Sequence, residues 1–496
     1  MSPLSRQLQH VWSLDPAATA IEFKGEKYLW GDLKGLALKL DQLLTSQGLG
    51  EGAAIGIFLR NRPGIVATIV GVLATGRAIV SINPHYPPET LAGEVRDLNV
   101  AVLVGDESDW KSELIRAEAA KTGTMGISVR ADGKELTLLP GLEKVGPGAH
   151  HTIADGIALE ILTSGTTGKP KRIQARYRAL ADAVLPPGAA DGVLPEALKP
   201  GVAMMANPLV HVSGIFGVLT SFSEGRTIVM FEKFDVNNWV ETVYKHKLRF
   251  APLAPTPMRM LLDAKVPKEK LASLRAVRSA TAPLPVDTQR DFEATYGVPV
   301  LIQYTATEFL GGISGWTAEL HKEFMPAKLG SVGRNHPGVQ IRIVDPATFA
   351  EVPTGETGLI EVLATKRFGP DTPWVRTTDL GWMDPDGFLY VVGRADDVII
   401  RGGFKVSLPD VADDIRSHPA VKDASVLGIP DARLGAVPVC AVELHEKGSV
   451  AEAELLQHCR AKLLAYQVPV TLKIVDVLPR TASMKVDRAA VRAMFV

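Results

Sequence analysis

The chain has only two cysteines, Cys440 and Cys459, in 496 residues. Two thiols cannot build a disulfide scaffold or a four-cysteine zinc site, and they suit a reducing, cytosolic compartment. Charge of one sign is also missing. Lys and Arg number 54 against 55 Asp and Glu, a formal net charge of −1. A dedicated nucleic-acid or anionic-membrane binder carries a basic excess, so both classes are excluded as expectations. The first residues, Met1 to Arg6, lack a charged start followed by an apolar run, so no signal peptide is expected. No long hydrophobic run appears. The most apolar early stretch, Ile65 to Ile82, is broken by Thr68, Thr75, Gly76 and Arg77. It reads as a helix–turn–strand core segment rather than a membrane span. A soluble, cytoplasmic protein is the expectation.

Apolar residues make up 46% and charged residues 22%, the balance of an ordinary globular chain. The 45 glycines and 34 prolines predict many tight turns. The length suggests about three domains, or one large domain with a smaller one. From about residue 50 to 310, short β-branched runs alternate with helical-period stretches. Strands are predicted over 53–59, 78–82, 100–104, 157–162, 202–206, 227–231, 248–252 and 298–304, with a helix over 65–73. That rhythm predicts an α/β fold of mostly parallel, helix-flanked sheets. Residues 330–395 read instead as a small β-rich unit, with strands over 339–344, 358–363 and 388–392 and no helix between them. Residues 396–496 read as a separate small α+β domain, leaving 1–395 as the large N-terminal domain.

The most informative run follows the apolar strand ending at Leu162. Thr163, Ser164, Gly165, Thr166, Thr167, Gly168, Lys169, Pro170 and Lys171 concentrate hydroxyls, glycines and lysines. Glycines let backbone N–H groups approach a phosphate, hydroxyls donate to its oxygens, and lysines neutralise it. The run is not a Walker A loop. Two residues, not four, separate Gly165 from Gly168, and Pro170 follows Lys169.

This run resembles the phosphate loop of the adenylate-forming superfamily of acyl-CoA synthetases, peptide-synthetase adenylation domains and luciferases. Four more segments resemble the family's motifs in the family's order: Gln303 to Glu308, Thr377 to Gly381, Gly393 to Asp397 continuing through Gly402 to Lys405, and Pro479 to Arg488.

The resemblance implies ATP, Mg²⁺ and CoA as cofactors and co-substrates. It gives residues 163–169 and Lys171 to the phosphates. It gives Ala282, Gln303, Tyr304, Thr305 and Thr307 to the adenine and α-phosphate, and Glu308 to Mg²⁺ as a hard oxygen ligand. Asp379 would accept both ribose hydroxyls, with Arg394 reinforcing the grip. Lys485 would bridge the substrate carboxylate and the α-phosphate, screening charge as it develops. Gly402, Gly403 and Phe404 would line the pantetheine tunnel. Asp396 would be the hinge of a mobile C-terminal domain. His211 would line the carboxylate end of an acid pocket that draws on Val212, Ile215, Phe216, Ala280, Thr281 and Ala282. Amino-acid-activating relatives carry an Asp near this histidine. No acid lies between Met204 and Phe222 here, so a plain carboxylic acid is expected.

Several family glycines are replaced. Thr305, Ala280, Thr281, Thr378, Arg172 and Met484 stand at such positions. The replacements alter backbone freedom and pocket volume and delete no catalytic group. The leading expectation is an ATP-dependent acid–CoA ligase that forms acyl-adenylate and pyrophosphate, then acyl-CoA and AMP. Two alternatives stay open: a free-standing adenylation enzyme that loads a carrier-protein phosphopantetheine, and a nucleotide-binding homologue with little turnover. The acid, whether aryl or medium or branched alkyl, and a homodimeric state are left open as well.

Overall fold

The computed structural model describes residues 1–130, 132–162, 172–369, 371–401, 404–431, 433–481 and 484–495. Two compact units emerge. One comprises Met1–Gly330, His336–Val339 and Ala364–Thr372, the other Ser331–Asn335, Gln340–Leu363 and Pro373–Val496.

In the first unit, one sheet runs in the order Leu136–Leu138, Met125–Val129, Val102–Asp106, Ala54–Phe58, Ala78–Ile82, Ile157–Leu162 and Arg172–Arg176. Its five central strands are parallel, and each edge strand is an antiparallel addition. A second sheet pairs Val202–Met205, Thr227–Met230 and Thr19–Phe23 in parallel, with Glu26–Leu29 antiparallel at its edge. A third joins Phe250–Pro252, Ala276–Ser279 and Val300–Ala306 in parallel, with Gly311–Gly315 antiparallel to the last. The helix Pro63–Ala74 is buried at every position. Its sequence is apolar all round, as a helix enclosed by other elements must be. Gly71 is required there, because a Cβ would lie 2.8 Å from that of Ala37 on the helix Trp30–Ser46. The α/β class expected from the strand–helix rhythm is borne out.

The second unit opens with an antiparallel meander of Gln340–Val344, Gly358–Leu363, Val375–Met383 and Leu389–Arg394. The strand Val375–Met383 was not among the expected strands, and a short helix, Thr365–Phe368, lies where none was expected. Further on, the sheet order is Phe404–Ser407, Val398–Arg401, Gly435–Leu444, Val421–Asp431, and Thr471–Val475 pairs in parallel with Gly435–Leu444. Helices Leu408–Arg416 and Glu452–Lys462 cover one face through Val411, Ile415, Leu455 and Cys459. Leu427, Val439, Leu478 and Val491 form a second cluster. Both cysteines are buried free thiols, and burial pushes the Cys459 thiol up to about 11. Neither is poised for thiolate chemistry.

Candidate active site

In parallel α/β sheets, ligands gather at the carboxyl ends of strands. Within the first unit, several expected site residues fall there. The phosphate run 163–171 leaves the end of Ile157–Leu162 and itself lies outside the described residues. Its base is described and firmly held. Leu162 N–H donates to Ser81 Oγ at 3.1 Å, and the Arg172 guanidinium donates to the Ser81 carbonyl at 3.1 Å. Arg172 also pairs with Glu94 and with buried Glu160. The arginine at a family glycine position thus clamps the strand pair Ile157–Leu162 and Arg172–Arg176 that flanks residues 163–171.

Ala280, Thr281 and Ala282 follow the strand Ala276–Ser279, and Gln303 to Glu308 end the adjacent strand, in register Ser279 opposite Ile302. Both segments therefore emerge at the carboxyl end of this sheet. Thr281 takes φ +76°, a left-handed conformation that explains the glycine usual there. The Gln303 side chain is engaged within the fold: its amide donates to the Trp316 carbonyl at 3.1 Å, and its oxygen lies 2.9 Å from His336 Nε2. A Cβ at Gly315 would collide with it. Tyr304 is half-buried, Thr305 is exposed, and Glu308 is exposed on the turn Thr307–Phe309, anchored by buried Phe309. Among the described residues no cluster of three metal-type side chains exists. A lone exposed carboxylate fits a Mg²⁺ ion whose other ligands are phosphate and water oxygens, the usual Mg²⁺ arrangement.

His211 is the N-cap residue of the helix Val212–Ser223. Its N–H donates to the Pro208 carbonyl, and its carbonyl accepts from Gly214 N–H at 3.0 Å. A Cβ at Gly214 would strike the Pro208 carbonyl, so the tight turn needs that glycine. Buried Asn61 braces the turn: its Oδ1 accepts from Leu209 N–H at 2.9 Å, and its Nδ2 donates to the Phe231 carbonyl at 2.9 Å. Ile215 is fully buried, while Val212 and Phe216 are half-buried.

Within the second unit, Asp379 and Arg394 face each other across an antiparallel ladder. Thr377 Oγ1 accepts from Asp379 N–H at 3.1 Å and donates to the Ile360 carbonyl, which fixes the Asp379 backbone. Arg394 donates to Thr378 Oγ1. Lys485 lies on a hairpin closed by a bridge between Arg480 and Val486. Burial first, and the Arg394 cation second, lower its pKa from the ordinary lysine value. The residue as a whole is nonetheless exposed. Phe404 is exposed and stacked on Tyr466, ring centroids 4.7 Å apart.

The expected residues thus form two groups, one in each unit. Gly402 and Gly403, like 163–171, lie outside the described residues, as do the side chains of Thr307 and Asp396. The sequence did not point to Asn61, His336 or Glu94, and it gave Arg480 no role although the motif that contains it stood out. Asn61 and Leu209 are 148 residues apart, and no local pattern marks such a contact.

In one unit an acid and an arginine lie opposite each other on paired strands, and in the other a phosphate-type run follows a buried strand, residue types that suit nucleotide handling. The chain belongs to the AMP-binding enzyme family: the family's model matches residues 8–363, and the model of the AMP-binding enzyme C-terminal domain matches 411–485. The resemblance read from the motifs is borne out. The chain is 28% identical over 490 residues to 4-coumarate–CoA ligase 3 of Oryza sativa subsp. japonica, which spans 95% of this chain and 87% of that protein. It is 25% identical to ATP-bound MatB from Rhodopseudomonas palustris, with TM-score 0.81 and coverage of 100% and 99%. It is also 25% identical to o-succinylbenzoate CoA synthetase from Bacillus subtilis, solved with its acyl-adenylate, with TM-score 0.77 and coverage of 98% and 97%.

Proposed function

We propose that the chain is an ATP-dependent carboxylic acid–CoA ligase that releases AMP. Its relatives over nearly the full length are acid–CoA ligases, and the observation that carries the reading is that the polar groups such chemistry needs are present in this chain. A carboxylate and ATP repel one another. Lys485 supplies a cation for the meeting of carboxylate and α-phosphate. Asp379 and Arg394 hold the ribose, Thr307 and the run 163–171 hold phosphate oxygens, and Tyr304 with Ala282 and Thr305 borders the adenine. Mg²⁺, held by Glu308, supplies charge neutralisation on the phosphates. The mixed anhydride so formed carries a good leaving group. The CoA thiol then displaces AMP, with Gly402, Gly403 and Phe404 lining the arm's path.

His211 stands at the carboxylate end of the acid pocket. Between Met204 and Phe222 no Asp, Glu, Lys or Arg occurs, so this wall offers apolar surface and one imidazole. That favours a monocarboxylic acid with an apolar body, aryl or branched alkyl. The reading also divides the chain at Asp396, with 396–496 as a mobile domain, and places a cytoplasmic enzyme, monomeric or homodimeric. Among the described residues, no helix is long and apolar enough to cross a membrane.

A panel of carboxylic acids, scored for AMP release with and without CoA, tests the proposal. Acid-dependent AMP release that requires CoA is expected. Release that requires a phosphopantetheinyl carrier protein and ignores CoA would reassign the acceptor. Absence of acid-dependent pyrophosphate exchange across the panel would leave a nucleotide-binding homologue.

A further inference from the structure

The hairpin that carries Lys485 has an unusual turn. Met484, directly before the lysine, takes φ +64°. That left-handed conformation strains an L-residue with a side chain. Three backbone contacts close the hairpin around it: Thr481 N–H to the Lys485 carbonyl at 2.8 Å, Met484 N–H to the Thr481 carbonyl at 2.9 Å, and Asp487 N–H to the Pro479 carbonyl at 2.7 Å. Side chains reach across the turn as well, and Thr481 Oγ1 donates to the Lys485 carbonyl at 3.3 Å. Arg480 Nη1 donates to the Met484 carbonyl at 3.2 Å. Its other nitrogen, Nη2, bonds Asp423 Oδ2 at 2.6 Å and lies 3.9 Å from Glu443 Oε2. Asp423 and Glu443 belong to the paired strands Val421–Asp431 and Gly435–Leu444, and Glu443 is buried. The planar fork of arginine suits this double duty.

We infer that Arg480 is a positioning residue for adenylation: braced on the sheet through Asp423, it pins the Met484 carbonyl and holds the strained turn that presents Lys485. The inference rests on the reading of Lys485 as the adenylation lysine. The pin matters because of the methionine. Without it, the Met484 backbone gains by relaxing to negative φ, which swings Lys485. A glycine at 484 has no such bias, since it takes either sign of φ about equally. Removing Arg480 leaves the charges behind it partnered. Asp423 keeps Arg416 at 3.6 Å, and Glu443 keeps Lys422 at 2.7 Å and Leu478 N–H at 2.9 Å. The sheet therefore survives the substitution.

The test measures the two half-reactions separately: pyrophosphate exchange for adenylation, and transfer from preformed acyl-adenylate to CoA. Arg480→Ala should lower the exchange kcat by about 10²-fold, the cost of misplacing a catalytic group by roughly 1 Å. KM for ATP and the transfer step should stay near the wild-type values. Adding Met484→Gly to Arg480→Ala should recover most of the lost exchange. Arg480→Lys keeps the charge toward Asp423 but replaces the fork with one nitrogen, so it should show the same split at smaller amplitude even if the alanine variant folds poorly. Equal loss in both half-reactions, or no recovery with Met484→Gly, would overturn the inference. Lys485→Ala is run in parallel. If that variant exchanges pyrophosphate normally, the reading of Lys485 falls and the inference with it. If Lys485→Ala is impaired while Arg480→Ala is not, the pin alone is overturned.

Discussion

Thr281 holds a β-branched side chain at φ +76°, at the carboxyl end of the sheet where the acid is expected to lie. A left-handed conformation costs an ordinary residue about 1–2 kcal/mol, and glycine forfeits about 0.5–1 kcal/mol in chain entropy. Thr281→Gly should therefore leave the thermal midpoint unchanged or raised, an uncommon result for emptying a site. It should also open space beside the acid and move the ranking of an acid panel toward bulkier members. The shift should be about 1–3 kcal/mol of discrimination. An unchanged ranking would place Thr281 outside the pocket. Lys485 gives a pH prediction. Its pKa is depressed from 10.5, by burial and then by Arg394. On its proposed role the charged form is the one useful to the phosphates, and a depressed pKa means the proton leaves sooner as pH rises. The alkaline limb of kcat/KM for pyrophosphate exchange should thus fall below pH 10.5. Arg394→Gln removes one cause and should move that limb upward, whatever it does to the overall rate. A limb that stays in place would separate Arg394 from the titration of Lys485.

At the scale of the element, the strand Val300–Ala306 and its turn deliver Tyr304, Thr305 and Glu308 from a buried start to an exposed end. Glu308→Gln keeps the shape of that turn and removes one charge. The apparent Mg²⁺ requirement for pyrophosphate exchange should rise together with the loss of turnover. Titrating Mg²⁺ against both enzymes decides it, and identical requirements would deny Glu308 the metal. The strand was legible because its apolar run, Val300 to Ile302, stands out, and the parallel sheets were legible because buried strands read as continuous apolar runs. The strand Val375–Met383 was not. Thr377, Thr378 and Asp379 are consecutive polar residues, and a register shift separates Leu380 from Gly381. Alternation cannot mark such a strand, which is held by ladders on both sides. Its motif was legible all the same, because the chemistry of Asp379 is written in residue types rather than in periodicity. The braces behind the site were hidden for a different reason. Asn61 bonds Leu209, and Arg480 bonds Asp423, across 148 and 57 residues. A single sequence carries no signal for a pairing of that range between common residue types.

For the whole molecule, the difficulty is that one site must serve two attacking groups. A carboxylate attacks phosphorus first, and a thiol attacks the acyl carbon second. On the proposed reading, Lys485 serves the first attack and would obstruct the second, while Gly403 and Phe404 serve only the second. Both sets belong to the C-terminal hundred residues, so a rotation of that part, as proposed, would exchange them without rebuilding the nucleotide site. Such a rotation needs a few residues at the end of an element that can absorb large changes in φ and ψ. Asp396 is in such a place, inside the single short turn Ala395–Asp397 between the strands Leu389–Arg394 and Val398–Arg401. Asp397, its neighbour, is anchored by Arg488 at 2.6 Å, which leaves the bonds at 396 to take up the motion. Asp396→Pro would fix φ near about −65° and remove the N–H, permitting at most one of two orientations. The two half-reactions should then come apart: pyrophosphate exchange survives substantially, and transfer from preformed acyl-adenylate to CoA collapses. Parallel loss of both would make Asp396 a structural turn. Full retention of both would move the pivot elsewhere in the chain, and Asp397, with Arg488 released by Arg488→Ala, would be the next residue to test.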